Sequence, residues 1–415
     1  MSGAVAASLI TPCRKRFAEG TGRIASPAET FARVWPLAAR MGITRVGDIT
    51  GLDRIGIPVA FAVRPMSRSV SVTQGKGLDR DQARVSALME AVEGLHGEGL
   101  APRCRRFSYD ALSRRAMVIE PMGLAGNGNV FDPRTEIDWI EGHDLLRDAA
   151  CWVPAEVVHL DHTIAPRSEA GCFLSGSNGL GAGNCLAEAL SAALFEVIER
   201  DAVAVWNART LNARVASAVD PDSVDDSACR ALIGCFATAG VRLRIWHLGS
   251  DTEVPAFMCD IGSEELGLVP MLRRFRGAGC HPDRRIALAR ALTEAAQTRL
   301  TYIAGSRDDL READYAPQPD AVLAEALLDV LMARAARVPF ETIPDYRSDD
   351  VVADLAWGLA RLRRIGVAHV VAVDLTRPEF AIPVVRIVAP GLEGDTRHPE
   401  YVAGPRARRA AAAEA

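Results

Sequence analysis

Two stretches of this 415-residue chain carry the same acidic pattern, Glu-x-x-Glu. They are Ser86-Ala-Leu-Met-Glu90-Ala-Val-Glu93 and Ala192-Ala-Leu-Phe-Glu196-Val-Ile-Glu199-Arg200. A third stretch, Arg290-Ala-Leu-Thr-Glu294-Ala-Ala-Gln297, keeps the spacing and changes the last letter. On a helix, residues three apart lie one turn apart on one side. Nothing basic stands between the carboxylates, and their neighbours are almost all apolar or small. Paired acids in that setting need a counter-charge from elsewhere, and the usual supplier is a metal ion. A lone Glu-x-x-Glu is more often a solvated acidic edge. Three related copies inside apolar helices reverse that reading.

At about 100° per residue, Val85, Leu88, Met89, Val92 and His96 form a core-facing stripe on the first helix. Ser86, Glu90 and Glu93 cluster beside it, and Ala87, Ala91 and Gly94 leave room for another backbone. The second helix adds ligands: Asn184 and Glu188 are four apart, and Glu196, Glu199 and Arg200 follow on neighbouring arcs. Leu190, Leu194, Val197 and Ile198 occupy its opposite side. Hard divalent cations take about six oxygen ligands, and magnesium commonly bridges carboxylates to substrate phosphates. Arg200 is placed either to pair with the glutamates or to hold a phosphate bidentately. The combination points to a metal–nucleotide site.

Glycine-rich turns are read before both helices, Gly75-Lys76-Gly77 and Ser175 to Asn184. Such glycines let backbone N–H groups approach an anion at a helix N-terminus. Neither run is a Walker A loop. Of 48 basic residues only Lys15 and Lys76 are lysines, which singles out Lys76, between two glycines, as a candidate catalytic cation alongside Arg200.

These residues together resemble the YcaO family of ATP-dependent enzymes that activate peptide backbone amides. The resemblance rests on Ser71-Val-Thr-Gln-Gly-Lys-Gly-Leu-Asp, the two Glu-x-x-Glu helices, and Ser177-Asn-Gly-Leu-Gly-Ala-Gly-Asn184. It runs from about Gly20 to Arg406. Gly20-Thr-Gly-Arg23, Ser26-Pro-Ala-Glu-Thr30, Gly42 to Asp53, Asp374-Leu-Thr, Ile382-Pro-Val-Val-Arg386 and Pro390-Gly-Leu-Glu393 are similar to the TfuA-associated branch.

The resemblance implies cofactors, ATP and Mg2+, and a residue set. Glu90, Glu93, Glu188, Glu196 and Glu199 correspond to the acidic metal ligands, with Asn184 as a further polar ligand. Ser86 and Arg200 correspond to nucleotide contacts, and Arg23 and Thr30 keep the spacing of contacts from the N-terminal segment. Glu294, Gln297 and Arg299 match the third motif, with Gln297 a candidate on the nucleotide. The first motif ends in Gly94 where the second ends in Arg200, and the C-terminus is Ala-rich where azoline-forming relatives carry a proline-rich tail. The implied activity is ATP-dependent phosphorylation of a peptide backbone amide, giving a thioamide with an external sulfur source and a TfuA-like protein as partner. An azoline-forming cyclodehydratase, a conventional kinase or ligase, and a non-catalytic peptide-binding scaffold are the alternatives; a homodimer is left open.

A net charge of -5 with scattered arginines argues against a nucleic-acid partner. No signal peptide and no apolar run of about 18 residues is read, so no membrane span is expected. Nine cysteines without a Cys-x-x-Cys pair suit a reducing cytoplasm. His159 and His162 lack a third ligand and read as local polarity; Cys185 reads as a small buried filler. Asp374 and Arg386 either border the site or pair structurally. Arg406, Arg408 and Arg409 read as a solvated tail.

The elements that must position these residues are α/β. Helices are predicted over Arg80–His96, Leu186–Trp206, Ser227–Ala239, Ile286–Ile303, Ala321–Ala335 and Asp350–Ile365. Strands are predicted over Pro58–Val63, Ser69–Val72, Ile137–Ile140, Arg242–His247, Pro255–Asp260, His369–Asp374 and Pro383–Val388. Long helices alternate with strand clusters, which suggests helices layered on mixed sheets rather than a Rossmann sheet. The expected organisation is an N-terminal segment (1–66) contributing to the nucleotide site, a catalytic unit (67–393) and a tail (394–415).

Overall fold

The computed structural model describes residues 11–163, 171–263, 274–315 and 319–413. Helix α1 (Pro27–Val34) opens with a capping box, in which Ser26 and Glu29 satisfy each other's backbone N–H groups. Strands β1 (Arg45–Asp48), β2 (Val59–Val63) and β3 (Val72–Lys76) then form an antiparallel sheet in that order, and α2 (Arg80–Gly97) packs on it. The division expected at residue 66 runs through this sheet, because β2 pairs with β3 along its length.

A larger sheet is built from β4 (Arg105–Ser108), β5 (Glu136–Asp144), β6 (Ala149–Pro154) and β7 (Leu180–Ala182), completed by two late strands. Behind β7 runs the 23-residue helix α3 (Leu186–Ala208). Helix α4 (Ser227–Thr238) and strands β8 (Val241–His247), β9 (Ala256–Ser263) and β10 (Phe275–Cys280) make a third antiparallel sheet, against which α5 (Arg284–Ala304) lies. Helices α6 (Pro319–Arg334) and α7 (Val351–Arg364) follow. Strands β11 (Val371–Asp374) and β12 (Val384–Val388) return to the large sheet, in the order β4-β5-β11-β12-β7, and α8 (Pro405–Ala412) closes the description. Among the described residues no helix is long and apolar enough to cross a membrane.

The predicted helices agree with the observed ones to within two residues at each end. The strands differ more: β1, β4, β6, β7 and β10 are absent from the predicted set. The segment predicted as Ser69–Val72 pairs instead as Val72–Lys76, β7 runs through a Gly-rich stretch that reads as a turn, and β10 carries Gly277 and Gly279. In each case glycine is needed because a helix backbone lies directly against the strand. A Cβ on Gly75 would sit 2.0 Å from the Ala87 nitrogen, and one on Gly181 2.7 Å from the Ala189 oxygen. One on Gly279 would sit 2.1 Å from the Ala287 oxygen. Real Cβ atoms do not approach so closely, so only glycine lets strand and helix pack at this distance. The glycines therefore bring backbones together; a phosphate cradle is not what fixes Gly75 or Gly181.

The fold thus contains the same unit three times: an edge strand carrying a glycine, a short turn, and a long helix with alanines facing that glycine. Counting three residues on from the second contacting alanine gives Glu90 after Ala87, Glu196 after Ala193 and Glu294 after Ala291. The repeat seen in sequence is a repeat of packing, and it sets which helical side carries the acids.

Candidate functional site

Where the three units converge lies a cavity of about 320 Å³. Helix α2 contributes Ser86, Glu90 and Glu93; α3 contributes Glu188, Glu196, Glu199 and Arg200; α5 contributes Arg290, Thr293 and Glu294. Arg23 and Thr30 reach it from the N-terminal segment, Lys76 from the end of β3, and Asn184 from the turn before α3. Of the candidates named from sequence, Arg299 lies outside, paired with Asp53 at 2.8 Å, and so does Gln297. Its amide donates to the Gln74 carbonyl at 3.0 Å, so it ties α5 to β3 one turn away from the cavity. The third motif carries glutamine because that position faces a backbone oxygen and needs an N–H.

Several acids are already compensated. Lys76 Nζ lies 2.5 Å from Glu294 Oε2. Burial pushes the Glu294 carboxyl up, but Lys76 and Arg200 outweigh it and hold the group at about 2. Arg200 Nη1 donates to Glu199 Oε1 at 2.7 Å; burial still raises the Glu199 carboxyl, against the Arg200 charge. Glu188, 1% exposed, accepts the Ile24 N–H at 2.6 Å and the Asn184 N–H at 2.8 Å, with Arg23 Nη1 at 3.6 Å. It fixes the N-terminal segment to the first turn of α3, where the dipole favours a carboxylate. Asn184 is held in turn by Thr30 and Arg33, whose side chains donate to its Oδ1 at 2.9 and 2.8 Å.

Three acids are left over. Glu90 reaches solvent through the cavity but is surrounded by protein otherwise, and among the described residues it makes no ion pair or hydrogen bond. Glu93 accepts one bond, from the Ala182 N–H at 2.7 Å. Glu196 has Arg200 no closer than 3.9 Å. Burial is the largest cause acting on all three and pushes each carboxyl up, Glu196 to about 7 and Glu93 well above its ordinary value. Glu90 and Glu196 raise Glu93 further by like-charge repulsion. Such a trio is short of positive charge: its one ion-pair partner among the described residues is Arg200, which lies closer to Glu199.

Among the described residues no three acidic, histidine or cysteine side chains converge tightly enough to hold one ion between them. A divalent ion fits this arrangement as magnesium usually sits, on one or two carboxylates with its other positions taken by water and phosphate oxygens. The cations suit a polyanion: among the described residues the buried Nε of Arg200 has no hydrogen-bond partner, and Arg290, whose guanidinium burial holds below its ordinary pKa, donates only to the Cys280 carbonyl, at 3.1 Å.

Sequence reading missed Arg290, which was legible only as the first letter of the third motif, and the C-terminal stretch. Asp395 lies 3.8 Å from Arg200 Nε and bonds Arg397 at 2.8 Å, so this stretch returns to the cavity. The expected solvated tail is corrected by Arg406. It is 8% exposed and donates to Asp201, which is fully buried, at 2.7 and 2.9 Å. The Glu393 carboxylate accepts the N–H groups of Gly404, Arg406 and Ala407 and so caps α8. A charge-rich, alanine-rich end gave no hint of burial because its acid partner is about two hundred residues away.

Arg386, on β12, is 3% exposed with Nε and Nη1 unpartnered, and burial lowers it to about 10. Asp374 caps its own turn through the Thr376 N–H. Cys185 Sγ lies 3.0 Å from Cys13 Sγ rather than being buried filler.

A family profile described as YcaO cyclodehydratase, ATP- and Mg2+-binding, matches residues 74–393. A protein of Rhizobium leguminosarum bv. trifolii, described as an uncharacterized protein in the tfuA 3' region, is 35% identical over 379 residues, 90% of this chain and 89% of that one. An uncharacterized protein of Methanothermobacter thermautotrophicus is 35% identical, covering 91% and 96%. Among solved structures, YcaO from Methanopyrus kandleri bound with AMPPCP and Mg2+ superposes with a TM-score of 0.73 at 23% identity, over 94% of this chain and 98% of that one. A heterocyclase in complex with substrate and cofactor gives 0.77 at 22% identity, over 92% of this chain; the chain spans about half the length of that protein, 54%.

Proposed function

The chain belongs to the YcaO family, and from that premise we propose that it is an ATP-dependent enzyme that phosphorylates a backbone amide of a peptide, with an external sulfur source giving a thioamide. The observation that carries this reading is the trio Glu90, Glu93 and Glu196, carboxylates facing one cavity with Arg200, 3.9 Å from Glu196, as their one ion-pair partner among the described residues. Glu188 and Glu199 complete the acidic set expected to hold magnesium. When bound, Mg–ATP supplies the phosphoryl group that turns an amide oxygen into a leaving group. The protein's share is positioning and charge. Arg200 and Arg290 are donors for phosphate oxygens, Lys76 holds Glu294 ionised across the cavity, and Ser86, Thr30 and Asn184 line the side nearest the N-terminal segment. Arg23 on Glu188 keeps that segment over the cavity.

Thioamide formation is favoured over ring formation by the relative encoded beside tfuA, and a TfuA-like protein is the proposed sulfur-delivering partner. The deciding experiment combines the protein, its TfuA-like neighbour, candidate peptide, ATP, Mg2+ and sulfide. ADP formation that depends on peptide, with exchange of oxygen for sulfur in the peptide mass, is expected. Loss of water from the peptide would assign azoline formation instead. ADP formation indifferent to peptide would replace this reading with a small-molecule kinase or ligase.

A further inference from the structure

A second cavity, of about 580 Å³, lies beyond the C-terminal end of α2 and opens to solvent between the 3-10 turn Trp35–Met41 and the segment after β11. Its lining reverses the sign of the chain. The protein carries a net charge of -5, yet five arginines line this groove against Glu98 and Glu379. Glu98 is spent: it accepts from both terminal nitrogens of Arg64, at 2.9 and 2.5 Å, and from the Arg68 N–H. Arg377 reaches over the end of α2 and donates to the Leu95 and Glu98 carbonyls at 2.5 and 2.8 Å, and it forms no ion pair among the described residues. Arg40 is exposed, stacks over Phe380 at 5.4 Å, and forms no ion pair among the described residues. Arg68 is 54% exposed beside Asp161. Between these cations polar and apolar surface are mixed in about equal parts, with Met66 88% exposed at the rim and Leu95 partly exposed below.

Small anions need only charge; the mixed surface between cations calls for a ligand with both characters. We propose that this groove binds an acidic, amphipathic stretch of the peptide substrate, flanking the amide that reacts. The inference rests on the reading of the chain as a peptide-modifying enzyme. Position supports it: Glu93 faces the acidic cavity and His96 lines the groove, and at 1.5 Å per residue they are about 4.5 Å apart along the axis of α2. A peptide anchored by arginines at the end of α2 would have its neighbouring residues a short distance from the acid cluster. Exposed charge pairs act mainly on encounter and specificity and weaken with salt.

Fluorescence anisotropy of a short labelled peptide alternating Glu and Leu, titrated with the full chain in the absence of nucleotide, tests this directly. Binding that weakens with added salt is expected, reduced by about tenfold or more in Arg40→Glu/Arg68→Glu and kept in Arg40→Lys. Nucleotide affinity should be unchanged in all of them. Equal binding of a Lys–Leu counterpart, or an unchanged dissociation constant in the charge-reversed double variant, would overturn the proposal. So would full displacement of the peptide by millimolar inorganic phosphate, which would make this a small-anion site. Because neither ATP nor sulfide is present, this measurement can fail while peptide-dependent ADP formation succeeds, or the reverse.

Discussion

At the scale of single residues, the chemistry of the site follows from which carboxylates have partners. Glu294, Glu199 and Glu188 face Lys76, Arg200 and Arg23, whereas Glu90, Glu93 and Glu196 face one another across the cavity. Replacing Glu93 or Glu196 by glutamine should therefore relieve repulsion and desolvation, leaving the melting temperature unchanged or raising stability by about 1 kcal/mol. The same variants should lose peptide-dependent ADP formation by about a hundredfold or more, since a neutral amide cannot offset a divalent ion. Thermal unfolding and turnover measured together check both halves; a variant that unfolds early would show these acids to be structural. A second residue, His96, one turn beyond Glu93 on α2, sets a pH response of its own. It is fully buried, its Nδ1 bonds the Val92 carbonyl, and burial lowers its pKa to about 4. A folded pKa below the unfolded value of about 6.5 means the unfolded chain binds the extra proton between the two. Stability should fall as pH drops from about 6.5 towards 4, by at most about 3 kcal/mol from this group. His96→Leu should flatten that limb of the melting curve against pH.

Elements matter here as pairs of backbones in contact. The alanines of α2, α3 and α5 touch glycines of β3, β7 and β10, and that contact sets how far each helix is rotated and hence where its glutamates face. Gly181→Ala should cost about 2 kcal/mol or more, because the new methyl meets backbone that cannot swing aside. It should also reduce turnover beyond what the stability loss explains, and urea unfolding beside single-turnover kinetics would separate the two. The N-terminal segment is attached differently, through Glu188 and through two thiols. With Sγ atoms 3.0 Å apart, Cys13 and Cys185 should form an intramolecular disulfide under diamide, read as loss of two hydrogens in the joined peptides. Cys185→Ser should abolish that species. Burial pushes the Cys13 thiol up to about 12, so the reaction should be slow at neutral pH and faster in mild alkali.

For the molecule as a whole, the last described helix is tied to α3 by a buried charge pair. Arg406 is the buried counter-charge of Asp201, the residue after Arg200, and it also reaches Asp251. Removing one member of a buried pair leaves the other charge stranded. Arg406→Ala should cost about 3–5 kcal/mol in chemical denaturation, and adding Asp201→Asn should restore part of it. If Arg406→Ala unfolds like the unaltered chain, the tail is peripheral after all.

What the sequence determined by itself was whatever depends on neighbours a few residues apart. Helix spans, the acid spacing on α2 and α3, and the family were legible because periodicity and motif are local properties of the chain. Two glycine-rich strands were misread for the same reason: Gly75 and Gly181 look like turns until a helix from the same unit is laid against them. Tertiary structure alone decided which acid would find a cation, since Lys76 meets Glu294 across 218 positions and Arg406 meets Asp201 across 205. It also placed Gln297 outside the cavity and gathered the arginines of the second groove from segments far apart in the chain. Charge acts through space, and only the fold fixes those distances.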